Sequence, residues 1–447
     1  MDIFHLPGRI CSTEDIRRIA EHSATEFTFI YLRDSIRWVN YAEERMLQVM
    51  RDTGAVLGYS DHFDPRPAPV IDYQAGALRD DFDFGSVLCI RTSALRAAVS
   101  RMDVNYSFAG LYDLRLKLYD KGGDERFVHI NEYLYYDEET DLRKSGEKLF
   151  DYVDPRNRQV QVEMEQCVTR YLQDLGALIH PDNYLPLPQA ESTAVTASVV
   201  IPCKNRARTI RDAIRSAVSQ QVHAPYTMNV FVVDDNSTDG TVDIIREEVE
   251  RASAGPVELI YIAQDTSWHA IGGNWNAALH HPKCGKYAIQ LDSDDTYSCS
   301  TAVQQFIDTF ESADGSVRYA MVIGSYQMTD IEGNPLPPGK IDHAEWTDLN
   351  GMNNALRING LGAPRGFYVP LVKTMNFPTT KYGEDYAVGL RICRQYPIGR
   401  IWDVVYNCRR WDDNSDANCD VEAMNRNNLY KDRVRTWELS ARMRLHN

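Results

Sequence analysis

Tyr287-Ala288-Ile289-Gln290-Leu291-Asp292-Ser293-Asp294-Asp295 reads as a buried strand, apolar along most of its length, that ends in three carboxylates. Taking unpaired carboxylates into a core costs several kcal/mol, so Asp292, Asp294 and Asp295 are expected past the strand's carboxyl end, in solvent or against a cation. In open α/β sheets that edge is where ligands bind. Asp-x-Asp spacing suits a divalent ion that carries a diphosphate, because magnesium takes one or two protein carboxylates and fills its shell with phosphate and water. Alone, such a triplet reads equally as a solvated acidic turn. The strands around it decide between the two.

Two of those strands lie upstream. Ala197-Ser198-Val199-Val200-Ile201-Pro202 is β-branched, stopped by proline, and followed by a helix expected to open near Asn205 and run to about Ser219. Val230-Phe231-Val232-Val233-Asp234-Asp235 is a second buried strand ending in acid, with Asn236-Ser237-Thr238-Asp239-Gly240-Thr241 supplying caps for a helix over Val242 to Glu250. Leu259 to Ile262 is a third strand, and a helix beginning at Gly272-Gly273-Asn274-Trp275-Asn276 leads into the Asp292 strand. Strand and helix alternating in this way imply a mostly parallel sheet covered by helices, with one crevice at one edge.

The N-terminal part repeats the same grammar. Strands are expected at Phe27 to Leu32, Ala55 to Ser60, Gly85 to Arg91 and Ile130 to Tyr136, with helices over Tyr41 to Arg51 and Asp113 to Tyr119. A helix from Asp154 to about Leu175 precedes the proline-dense run Pro181-Asp182-Asn183-Tyr184-Leu185-Pro186-Leu187-Pro188. This divides the chain into an α/β unit over 1–150, a helix and connector over 151–194, and a second domain over 195–447.

Composition bounds the function. A chain of 447 residues exceeds one typical domain, and 43% apolar with 10% aromatic residues suits a folded core. A formal net charge of -16 leaves no basic face for phosphates and excludes nucleic acid as a partner. Nine cysteines without CxxC pairs, and no signal peptide at the start, imply a reducing, cytoplasmic setting. No apolar run approaches the roughly 20 residues of a membrane span. Peripheral membrane association, at the inner face, and a homo-oligomer are left open.

Taken together, Ser198 to Pro202, Val232 to Thr241, Leu291 to Asp295, and Gly383-Glu384-Asp385 followed by Arg391 resemble, in order and spacing, family 2 glycosyltransferases of the GT-A fold. The resemblance covers roughly residues 196 to 415 and implies an α/β fold with a mixed sheet flanked by helices. It implies an inverting, metal-dependent transfer of a hexose-type sugar from a nucleotide-diphospho-sugar to a hydroxyl of a glycan or lipid-linked acceptor. By that resemblance Asp235, or else Asp234, holds the nucleotide base, while Pro202, Asn205, Asn276, Asp292 and Arg365 line the donor site. Asp292, Asp294 and Asp295 would hold Mg2+ or Mn2+, and Asp385, beside Glu384, would be the general base. An N-cap role for Asp235, a helix-start role for Asp385 and a structural ion pair for Arg365 are the competing readings.

Two departures from the family pattern stand out. Asn274 occupies a place where relatives often carry arginine, and Trp411 falls where many have a histidine, with Asp413 or Arg410 as substitutes for that ligand. Within the fold, a nucleotidyltransferase would need a glycine-rich loop that Pro202-Cys203-Lys204-Asn205-Arg206 does not provide. From another class, the rival is a catalytically silent scaffold built of two glycosyltransferase-like units. The front unit reads as a degenerate half-copy: Phe29 to Asp34 parallels the metal strand, Tyr59-Ser60-Asp61 parallels Gly324-Ser325-Tyr326, Phe84 to Arg91 parallels Arg365 to Val369, Tyr112-Asp113 parallels Glu384-Asp385, and Tyr133 to Tyr136 parallels Val404 to Cys408. His62 and Asp64 there are too few for a metal site, and Trp268, His269 and Trp346 are candidates for stacking on sugar. A role in building surface or capsular polysaccharide follows from the family analogy alone.

Overall fold

Ala197–Cys203 and Met228–Asp234 are buried at every position, and they pair in parallel from Ala197↔Met228 to Cys203↔Asp234. Runs of Val, Ile and Phe without alternation are what a parallel strand covered on both faces requires. The computed structural model describes residues 1–6, 8–119, 126–137, 157–189, 193–264, 269–411 and 420–445. The chain divides into two units, one taking residues 1–178, 356–358 and 415–447, the other 179–355 and 359–414.

The second unit is built on a nine-stranded sheet among the described residues. Its order is Glu258–Ala263, Met228–Asp234, Ala197–Cys203, Tyr287–Gln290, Arg365–Tyr368, Met321–Asp330, Ile398–Arg410, Thr296–Tyr297, with Pro335–Ile341 paired to Met321–Asp330. The first four strands run parallel. Arg365–Tyr368 then lies antiparallel to both of its neighbours, and Ile398–Arg410 returns parallel to Met321–Asp330. Tyr287–Gln290 therefore sits where the sheet changes sense, with the three acids just beyond its end. The helix expected from Asn205 begins only at Ile210, because Asn205 takes a left-handed φ of 52° and its segment is used to bond the neighbouring loop.

The first unit has a seven-stranded sheet in the order Asp2–His5, Phe27–Tyr31, Val87–Arg91, Leu57–Asp64, Phe127–Tyr136, Arg37–Trp38, with Arg66–Ala68 on Leu57–Asp64. Phe27, Phe29, Val87 and Cys89 face Met46 and Met50 of the helix Ala42–Thr53. Ile30, Leu88 and Ile90 face Ile16, Leu95 and Leu114 of the helices Thr13–His22, Thr92–Val99 and Gly110–Tyr119. Both faces are covered, as the period-2 alternation of strand side chains allows. Leu57–Asp64 runs four residues past the expected end at Ser60, since Asp61 is satisfied inside the sheet by Val70 N–H at 2.9 Å and His129 Nε2 at 2.8 Å.

Strand for strand, this sheet repeats the order and sense of the second one from Ala197–Cys203 to Thr296–Tyr297, without counterparts of Met228–Asp234 and Glu258–Ala263. Even the bulge recurs. Asp61↔Tyr133 and His62↔Tyr135 correspond to Ser325↔Val404 and Tyr326↔Tyr406. Register corrects the alignment read from sequence in two places. Leu57↔Ile90 against Met321↔Phe367 puts Leu88 at Arg365 and Gly85 at Gly362, both glycines with positive φ, 74° and 92°. It also puts Ser60, rather than Tyr59, at Gly324.

The C-terminal helix Val421–Leu445, grouped by the sequence reading with the second domain, is part of the first unit. Asp432 is fully buried and bonds both Arg79 Nε at 3.2 Å and Arg435 Nη1 at 2.8 Å. Removing one member of a buried ion network strands the others without their counter-charge. Asp432→Ala should therefore cost roughly 3–5 kcal/mol, read as a drop in the first unit's melting transition, while Trp437→Ala on an exposed position of the same helix should cost little.

Candidate functional site

The carboxyl edge of the second sheet is assembled from loops that bond one another before any ligand is considered. Asn205 N–H donates to Ser237 Oγ at 2.8 Å, and Asn205 Oδ1 accepts from Thr238 N–H at 2.8 Å. Asn205, expected in the donor site, is thus a clamp between two loops, and Pro202 is buried within its strand opposite Val233. The same loops separate the two acids that sequence left open. Asp234 accepts from Ser237 N–H at 3.1 Å, from Ser237 Oγ and from Cys203 Sγ, so it caps the turn. Asp235 is 5% exposed, its Oδ2 lies 3.3 Å from Lys204 Nζ, and its Oδ1 is buried with no hydrogen-bond partner among the described residues. An orphaned buried acceptor costs about 1–3 kcal/mol, and a ligand N–H would relieve it.

Past Gln290 the chain turns, and each of the three acids finds its own partner. Asp292 Oδ1 accepts from Gln290 Nε2 at 2.8 Å, and Asp292 N–H donates to Tyr406 Oη at 3.0 Å. Asp295 Oδ1 accepts from Arg409 N–H at 2.7 Å. Asp294 faces Arg206 Nε at 3.8 Å while its carbonyl accepts from Arg409 Nε at 2.5 Å. Burial, opposed by the Gln290 bond and reinforced by the Asp294 charge, pushes Asp292 up to about 6. Burial and the Asp294 and Asp292 charges push Asp295 well above the carboxylate range.

The second pair of acids opens the helix Glu384–Cys393 behind Gly383, whose φ of 78° sets the entry angle. Asp385 Oδ1 accepts from Tyr386 N–H at 2.6 Å, and Asp385 Oδ2 pairs with the Arg365 guanidinium. Glu384 is pushed up to about 8 by burial and by the Asp385 charge beside it. Arg365, 7% exposed, also donates to Leu361 O, to Gly362 O at 2.9 Å and to Gln290 Oε1 at 2.9 Å. Its fork is spent on protein groups, in keeping with the structural ion pair that the sequence offered beside a donor contact. Asn276 is engaged in the same way: Nδ2 donates to Phe377 O and Oδ1 accepts from Phe377 N–H, each at 2.8 Å.

Among the described residues no three His, Cys, Asp or Glu side chains converge as a ready metal site. The triple ligand set of Asp292, Asp294 and Asp295 is therefore not preformed. The donor chemistry still fits Mg2+ or Mn2+, which takes one or two carboxylates and completes its shell with phosphate and water. Acids whose protons are held by burial and by the neighbouring carboxylates are what such a charge would relieve. Trp411 lies under the Arg208 guanidinium at 4.9 Å, in the place expected of a histidine. Asp413 and Trp268 fall outside the described residues, and Trp346, 3% exposed, packs in the core against Gly351 and not on a sugar surface. Gln290, Tyr406 and Arg409 were missed in the sequence reading. Only Gln290 leaves a trace there, as a lone amide at the end of an apolar strand.

Residues 198–361 match the family model described as glycosyl transferase family 2. The match takes in the acid-tipped strands and stops short of Arg365, Glu384 and Asp385. Validoxylamine A glucosyltransferase of Streptomyces hygroscopicus subsp. limoneus is 38% identical over 87 residues, 19% of this chain and 18% of that protein, so the chain spans under a fifth of that relative. S. aureus TarS 1-349 aligns with TM-score 0.38 and 22% identity over 48% of this chain and 60% of its own. Mannosyltransferase PcManGT from Pyrobaculum calidifontis, solved with GDP-Man and Mn2+, aligns with TM-score 0.36 and 16% identity over 66% and 86%. The likeness to that family rests on the sequence match over 198–361 and not on these structural likenesses.

Glu384 gives a signed pH prediction. Its proton affinity is raised on folding, so its contribution is fully present below its ordinary value of 4.5 and is lost as pH rises toward about 8. Glu384→Gln should melt above the parent protein at pH 8, with the gap closing by pH 5. Equal gaps at both pH values would contradict it.

Proposed function

We propose, from the premise that residues 198–361 form a family 2 glycosyltransferase domain, that the chain transfers a sugar from a nucleotide-diphospho-sugar to an acceptor hydroxyl with inversion. The observation that supports this most is the meeting of two acid pairs at one sheet edge. Asp292 and Asp294 lie on one side and Glu384 and Asp385 on the other; burial, with the charges of Asp294 and Asp385 added, raises the proton affinities of Asp292 and Glu384. A fold gains nothing from such crowding, and function commonly does.

In this reading Asp235 Oδ1 accepts the ring N–H of the nucleotide base, with Lys204 beside it as a donor to a ring carbonyl. Asp292 and Asp294, or Asp295, hold Mg2+ or Mn2+, which when bound neutralises the diphosphate as it leaves. Arg206 and Arg409 lie beside those acids and add positive charge near the same place. Asp385 takes the proton of the acceptor hydroxyl, whose oxygen attacks the anomeric carbon opposite the diphosphate and so inverts it. Arg365 and the Tyr386 amide each use one oxygen of Asp385, fixing the carboxylate while leaving lone pairs for the incoming hydroxyl. The acceptor is a glycan or lipid-linked hydroxyl, and the reaction is cytoplasmic. No helix among the described residues is long and apolar enough to cross a membrane.

The rival reading is a silent sugar-nucleotide binder. It draws on Arg365 and Asn276 being committed to protein groups and on Trp411 in place of a histidine.

Two measurements test the proposal. A nucleotide-sugar at about a hundred times its dissociation constant should stabilise the protein by roughly 2.7 kcal/mol, and only with Mg2+ or Mn2+ present; a panel with no shift under either metal would sink the donor site. Asp385→Asn should keep that shift and lose about a hundredfold or more of turnover, whereas a binder has no turnover to lose.

A further inference from the structure

Asp292 and Asp385, on opposite sides of the proposed site, are joined by an unbroken line of polar contacts. Asp292 Oδ1 accepts from Gln290 Nε2 at 2.8 Å, Gln290 Oε1 accepts from Arg365 Nη1 at 2.9 Å, and Arg365 Nη2 pairs with Asp385 Oδ2. Gln290 and Arg365 are 6% and 7% exposed. The amide can sit only one way round, with its oxygen toward the guanidinium and its NH2 toward the carboxylate.

The first unit is an internal control for what the fold alone needs at these places. Counting from Thr28↔Ile90 and Ala288↔Phe367, the counterparts of Gln290, Asp292 and Arg365 are Ile30, Leu32 and Leu88. These are 0%, 5% and 2% exposed. The same strand ends, in the same order and sense, are filled by aliphatic side chains where no acid pair lies beyond them. Buried charged networks are commonly no more stable than apolar packing of similar volume. The polar trio is therefore kept for something other than holding the sheet together.

We infer that Gln290 is a positioning residue: its amide ties the donor-side carboxylate Asp292 to Arg365, and through Arg365 sets the carboxylate of Asp385 for the acceptor hydroxyl. This rests on the glycosyl-transfer reading above and adds to it a residue outside the acid motifs. Arg365 is anchored at its other donors to the Leu361 and Gly362 carbonyls and to Asp385, so among the described residues the side chain aligning its Nη1 edge is Gln290. Without it the guanidinium has room to turn, and Asp385 turns with it.

Gln290→Ile, which installs the residue found at the same place in the first unit, should fold and melt no lower than the parent protein. Its kcat should fall by about tenfold or more with donor KM within about threefold, since misplacing a reacting group by about 1 Å costs on the order of a hundredfold. Gln290→Glu keeps an acceptor for Arg365 but sets a negative oxygen against Asp292, and should lose kcat to a similar degree. Gln290→Ile combined with Arg365→Leu should be no slower than Arg365→Leu alone, because the two act as one unit. Wild-type kcat in Gln290→Ile or in Gln290→Glu would overturn the proposal, as would multiplicative losses in the double variant. A fall in melting temperature matching the fall in kcat would show an ordinary packing role and overturn it too. A parent protein that turns over no nucleotide-sugar would remove the transfer reading itself, a result distinguishable because it appears before any variant is made.

Discussion

A carboxylate at the end of a buried strand is the constraint on which the second unit depends. Gln290 is the last residue of Tyr287–Gln290, and Asp292, Asp294 and Asp295 follow within five positions. Left alone, three such charges would disrupt the edge of the core. The surrounding structure answers each one separately: Gln290 and the Tyr406 hydroxyl bond the Asp292 segment, the Arg409 amide bonds Asp295, and Arg206 faces Asp294. The compensation is incomplete, as the raised proton affinities of Asp292 and Asp295 record.

The antiparallel strand Arg365–Tyr368 connects that edge to the acids at the start of Glu384–Cys393. Arg365 begins the strand, so its guanidinium emerges beside Gln290 and reaches Asp385. A sheet of one sense throughout would have directed this residue elsewhere. The change of sense at Tyr287–Gln290 therefore does chemical as well as topological work: it places an arginine between two groups of acids that otherwise repel.

The two units show the same sheet under different demands. Where the first has Ile30, Leu32 and Leu88, the second has Gln290, Asp292 and Arg365. Tyr135 and Tyr406 stand at the same register, yet the Tyr135 hydroxyl accepts from Ser86 N–H and that of Tyr406 from Asp292 N–H. Among its described residues the first unit has no counterparts of the two outer strands, nor of the acid at the end of Met228–Asp234. Similar strand order thus says little about shared activity.

The sequence by itself determined the α/β class, the acid-tipped strands and the order of the motifs, because apolar runs, turn residues and caps are local and survive without neighbours. It also placed Asp235 and Asp292 at the ends of buried strands and Asp385 at the start of a helix. Only the tertiary structure distinguishes Asp234 from Asp235, since Ser237 and Cys203 occupy the first while one oxygen of the second meets no partner among the described residues. It likewise engaged Asn276 and Arg365 with protein groups, through bonds to Phe377 and Asp385 that span 101 and 20 positions of chain. The C-terminal helix followed the same rule: its allegiance to the first unit rests on Asp432 meeting Arg79 across 353 positions. Periodicity reports which face of an element is buried, but the partner that meets a polar side chain comes from distant sequence, and that is information no local pattern contains.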